Sequence, residues 1–92
     1  MKGVTKTGFE FEIEDGAMDD YELLEELCSI DKGDIGKIPG ALEKVIGTEQ
    51  KEALKEHVRC ENGRVPVSKM VEEFMDIISC NNEGKNSLSS PA

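Results

Sequence analysis

Hydrophobic and polar residues change their spacing once along this chain, near residue 20. Before that point Phe9, Glu10, Phe11, Glu12, Ile13 and Glu14 alternate strictly, the period-2 pattern of a strand with one buried and one wet face. Thr7-Gly8, just ahead of it, can turn the chain back toward Val4, so a short N-terminal β-hairpin is predicted. From Tyr21 onward the spacing becomes helical. Tyr21, Leu23, Leu24, Leu27, Cys28 and Ile30 fill one half of a helical wheel, and Glu22, Glu25, Glu26 and Ser29 fill the other. Asp19 and Asp20 both stand where a helix cap is needed.

The stretch "DKGDIGKIPG" reads as a loop, and Pro39 suits the first turn of a short helix that stops at Gly47. Thr48 can cap a third helix, about Glu49 to Arg59, with Gln50, Ala53, Leu54, His57 and Val58 facing inward and Glu52, Lys55, Glu56 and Arg59 pairing outside. Gly63 can take the left-handed conformation that ends it, and Pro66 starts a fourth helix. Its stripe is Val67, Met70, Val71, Phe74, Met75, Ile77 and Ile78, opposed by Ser68, Lys69, Glu72, Glu73 and Asp76. The expected fold is therefore mainly α with a small N-terminal β-hairpin, a compact α+β bundle of about four helices over residues 1–80. Residues 81–92, rich in Ser, Asn, Gly and Pro, are expected to be a disordered tail, because they can bury too little apolar surface to offset their conformational entropy.

Charge narrows the classes of function. The 92 residues carry 11 Lys+Arg against 20 Asp+Glu, a net charge of −9, which repels nucleic acid and anionic membrane. One Tyr and three Phe offer little for base stacking. The start has no apolar run suited to a signal peptide, and no segment approaches bilayer length, so a cytoplasmic protein is expected. Ten carboxylates and no basic side chain lie between Lys6 and Lys32, giving the hairpin and first helix an acidic face, either simply solvated or turned to a basic partner.

No catalytic or metal-binding pattern survives inspection. "GDIGKIPG" lacks the first glycine of a phosphate loop, where Asp31 stands, and its hydroxyl residue, where Ile38 stands. As a calcium loop it fails because Gly33 and Ile35 replace oxygen ligands and Glu43 falls one place late. His57 reads as a packed or interface imidazole rather than a general base, and no base is apparent for Ser29, Ser68 or Ser79. Cys28, Cys60 and Cys80 are odd in number and widely spaced, which suits reduced thiols better than a disulfide framework or, without a Cys-x-x-Cys pair, a zinc site. Met70 and Met75 suit core filling, with an adaptable partner groove as the other use.

Read in order, "KTGFEFEIE", "DDYELLEEL" and "EQKEALKEHVRCENGRVPVSKMVEEFMDII" resemble the small tail assembly chaperones of long-tailed phages and prophages of Gram-positive bacteria. The resemblance runs up to Ser79, and Gly63 to Val67 is its most specific unit. It implies a non-catalytic, cofactor-free protein that coats the tape measure protein and keeps it soluble in the host cytoplasm, without entering the mature virion. It also implies a longer product of a −1 ribosomal frameshift that recruits the major tail protein. Gly84-Lys85 is encoded by GGN followed by AAA or AAG, codons that permit a slippery heptamer of that kind. The first helix has an apolar stripe wider than one packing seam needs, so the expected partner-binding residues are Leu23, Leu27 and Ile30 on one edge with Tyr21 and Leu24 on the other. A homo-oligomer is compatible with so small a core. The alternative reading is an acidic, prophage-encoded regulator or DNA mimic that meets a basic groove through Glu22, Glu25 and Glu26.

Overall fold

In the structure, a computed structural model describing residues 1–84, strand β1 (Lys2–Val4) pairs antiparallel with β2 (Glu10–Glu12), with Gly3 opposite Phe11. The turn between them is closed by the Gly8 N–H donating to the Thr5 carbonyl at 2.9 Å. Gly8 itself has φ +93°, the left-handed conformation that such a turn requires at its end. Alternation does what its period predicts: Phe9, Phe11 and Ile13 are all buried, and the glutamates between them are exposed. Across the strands the Phe11 ring lies flat over Gly3, where an added Cβ would come within 2.7 Å of it.

Helix α1 (Tyr21–Asp31) is capped by Asp20, whose Oδ1 accepts from the backbone N–H groups of Glu22 at 2.9 Å and Leu23 at 3.2 Å. Gly33, at φ +105°, ends it, and a 3₁₀ turn (Ile35–Lys37) leads into α2 (Ile38–Val58). Helix α3 (Val67–Gly84) follows Pro66, whose carbonyl receives the Met70 N–H. The described residues thus form three α-helices rather than about four. The second and third predicted helices are one element, bent at Gly47, which holds φ 83° and ψ 165° inside it.

Gln50 ties the bend to the hairpin. Its Nε2 donates to the Ile46 carbonyl and to the Glu12 carbonyl, and its Oε1 accepts the Glu12 N–H, each at 2.7 Å. Glu12 is the β2 residue whose backbone faces away from β1, so one side chain caps the bend and covers the sheet edge.

One core joins the elements: Phe9, Phe11 and Ile13 of the hairpin, Leu23 of α1, Ile38, Ala41, Leu42, Val45, Ile46 and Leu54 of α2, and Phe74 and Ile77 of α3. Several expected inward positions are not buried. Ala53 and His57 are exposed because only Leu54 of that turn meets the core squarely. Val67 and Met75 are exposed at 64% and 51%, because α3 is packed along the middle of its stripe and open at the edges. Met75 therefore does not fill the core, whereas Met70 packs against it in part. Glu73, expected on the wet side, is buried. The expected boundary at residue 80 falls within α3, and residues 85–92 of the expected tail lie outside the described residues.

Candidate partner-binding site

Packing divides the wide apolar stripe of α1 along its length. Leu23 is 1% exposed, and Leu27 and Ile30 are half-buried against the core, so this edge holds the helix in place. The other edge is largely open: Tyr21 is 73% and Leu24 52% exposed. Cys28 continues that edge one turn further and is also exposed. Positions 21, 24 and 28 share one side of the helix, with Glu25 beside them. Of the five residues expected to bind a partner, Tyr21 and Leu24 are therefore open to one and Leu23 is not.

The carboxylates around this edge are not all available. Glu26 accepts from Lys44 Nζ at 3.2 Å and ties α1 to α2, whereas Glu22 and Glu25 remain on the open surface.

A second apolar surface lies where the 3₁₀ turn, the start of α2 and the start of α3 converge. Ile35 and Val67 stand on its rim at 49% and 64% exposed, and Val65, Met70 and Val71 form its wall. Lys51 and Lys55 border it, each held by a carboxylate, Glu43 at 2.6 Å and Glu52 at 3.0 Å. The hydrogen bond from Lys51 is the main cause that holds Glu43 below the usual carboxylate range. Sequence reasoning placed Ile35 in a loop and Val67 in the core stripe. The signal for this surface is that the two apolar residues flank segments containing Pro39 and Pro66, where the backbone turns and leaves side chains at the margin.

The third concentration of chemistry is polar and joins the hairpin tip to both long helices. Thr7 Oγ1 donates to Glu73 Oε2 at 2.7 Å and lies 3.0 Å from His57 Nε2 and 3.1 Å from Thr5 Oγ1. A hydroxyl has one proton. With that proton committed to Glu73, Thr7 Oγ1 is left as an acceptor, a role that the Thr5 hydroxyl and an Nε2–H tautomer of His57 can both serve. The Lys6 backbone N–H donates to Asp76 Oδ2 at 2.6 Å beside this hub. The His57 ring leans on Phe9 with centroids 5.5 Å apart, so it is packed on one face while the residue is exposed.

Of the cysteines, Cys60 is exposed in the turn after α2, and Cys80 Sγ lies 3.7 Å from the Val4 carbonyl. Among the described residues no group of His, Cys, Asp and Glu is placed to hold a metal ion, and no helix is long and apolar enough to cross a membrane. Compared with protein-family models, curated proteins and solved structures, the chain matches none.

Proposed function

We propose that the chain is a non-catalytic tail assembly chaperone that binds an apolar helical segment of the tape measure protein and keeps it soluble. The observation that carries this reading is the exposed Tyr21–Leu24 edge on a helix whose remaining surface is carboxylate-rich. Such an edge can cover apolar surface on a partner helix while its acidic surroundings keep the complex in solution. The groove rimmed by Ile35 and Val67 offers a second seat for the same segment. In this role the protein acts in the host cytoplasm and is absent from the mature virion. A longer frameshift product sharing this domain brings the major tail protein, and self-association of the short form is compatible with both surfaces.

Co-expression tests the reading. The chain should keep an otherwise insoluble tape measure protein in solution. Replacing Tyr21 and Leu24 together by glutamate should abolish that rescue with little effect on folding, since both side chains are exposed. Rescue that survives this pair but fails with Ile35→Glu and Val67→Glu moves the contact to the groove. No rescue by the unaltered chain rejects the chaperone. An acidic regulator would instead bind a basic protein through Glu22 and Glu25, with affinity that falls steeply as salt rises.

A further inference from the structure

Glu73 is 3% exposed, and its two carboxylate oxygens have different surroundings. Oε2 accepts from Thr7, whereas Oε1 is buried with no hydrogen-bond partner among the described residues. Thr7 cannot serve it, because its single proton is already used. A buried carboxylate oxygen without a donor is costly, and proteins rarely leave one so. Glu73 lines a groove between the hairpin tip and α3 whose other acidic residues are Glu72 and Asp76. The ion pairs among the described residues are Lys44–Glu26, Lys51–Glu43, Lys55–Glu52 and Arg59–Glu56, and none reaches these three carboxylates. Among the described residues that line the groove, the exposed Lys6 is the one basic side chain.

We propose that this groove is a receptor for an arginine side chain carried on an apolar helical segment of a partner protein. The guanidinium satisfies what the groove lacks: it presents several N–H donors in one plane, can meet Glu73 Oε1 and the Asp76 carboxylate together, and keeps its charge when water is removed. Val71 and the half-exposed Met75 form the apolar walls, which suit the methylene stem of an arginine and the apolar neighbours beside it. Lys6 and Met75, both unbranched and exposed, line the same groove. The site is separate from the Tyr21–Leu24 edge and does not depend on the identity of what α1 binds.

The test uses the full chain, ¹⁵N-labelled, and two alanine-rich helical peptides with one leucine and, four residues on, either arginine or its neutral isostere citrulline. The arginine peptide should shift the amide signals of Thr7, Glu73 and Asp76 in a saturable way, and the citrulline peptide should bind about tenfold more weakly or less. Glu73→Gln keeps an acceptor for the Thr7 hydroxyl and should weaken the arginine peptide about tenfold. Asp76→Asn, which keeps an acceptor for the Lys6 N–H, should weaken it in the same direction and serves if the first variant misfolds. Glu25→Gln on α1 should leave binding unchanged. Equal binding of both peptides, shifts centred on Glu22 and Glu25, or unchanged affinity in the groove variants would overturn the proposal.

Discussion

Gln50 and Glu12 pair side chain to backbone in both directions: the Gln50 amide donates to the Glu12 carbonyl and accepts its N–H, each at 2.7 Å. The same amide nitrogen reaches the Ile46 carbonyl, so all three bonds depend on one residue. Each is worth about 0.5–1.5 kcal/mol net, and Gln50→Ala should lower stability by roughly 1–3 kcal/mol in urea unfolding. Amide exchange at Glu12 should quicken in the folded state. Gln50→Glu should do at least as much damage, because a carboxylate cannot donate to two carbonyls.

Gly47 occupies a backbone conformation, φ 83° and ψ 165°, that is essentially closed to residues with a side chain. Nothing lies within 4 Å of where its Cβ would be, so the cost of Gly47→Ala is conformational rather than steric crowding by neighbours. We expect a loss of roughly 1–3 kcal/mol. A synthetic chain with D-alanine at 47 should recover most of it, and equal melting of both forms would contradict the bend.

On α3, Phe74 and Met75 are adjacent and should behave oppositely. Phe74 is fully buried, and Phe74→Ala should cost about 3–5 kcal/mol, enough to unfold a domain of this size. Met75 is half exposed, and Met75→Ala should change thermal stability by about 0.5 kcal/mol or less. Matching effects from the two would misplace the helix.

The acid side of the stability curve has a defined sign. Glu43 is held below its ordinary 4.5 first by its hydrogen bond from Lys51, and Glu56 first by that from Arg59. A carboxylate with a lowered folded-state pKa binds fewer protons folded than unfolded, so its contribution is present above that ordinary value and lost as pH falls through the lowered one. The gap in urea midpoint between the native chain and Lys51→Gln should be level near neutrality and close as pH falls below the ordinary 4.5 and through the lowered value. Relief of net negative charge by acid acts on both chains, −9 in the native one and one charge more negative without Lys51, and so largely cancels in the comparison.

Where one residue's surroundings follow from its own neighbours in sequence, the sequence was legible. Phe9, Phe11 and Ile13 alternate and are buried, Asp20 caps α1, and Gly63 adopts φ +86° after α2 as its position suggested. The break at Gly47 was legible too, but not that Gln50 would bridge it, since its partner Glu12 is 38 residues away. Met75 and Val67 looked internal because helical spacing gives the direction of a side chain and not the width of the neighbour covering it. Glu73 looked external for the converse reason. It stands three residues after Met70 and four before Ile77, on the flank of the buried stripe, and the hairpin tip that covers it arrives from 66 residues earlier. For α1 the spacing separated two edges, and only the packed structure decides that Tyr21 and Leu24 are the open one.

The contacts of the hairpin with α3 join Val4, Lys6 and Thr7 to Cys80, Asp76 and Glu73. In a chain emerging from the ribosome, the first element made must wait for the last. Until α3 is free, β1 lacks the helix that packs against it, and the nascent chain presents an incompletely covered, aromatic, β-forming hairpin to its surroundings. A ribosome stalled short of α3 would therefore release not a smaller working domain but an aggregation-prone fragment. Quality control by cellular proteases would fall on such fragments, while any product extended beyond residue 80 would already contain the α3 residues that the hairpin contacts.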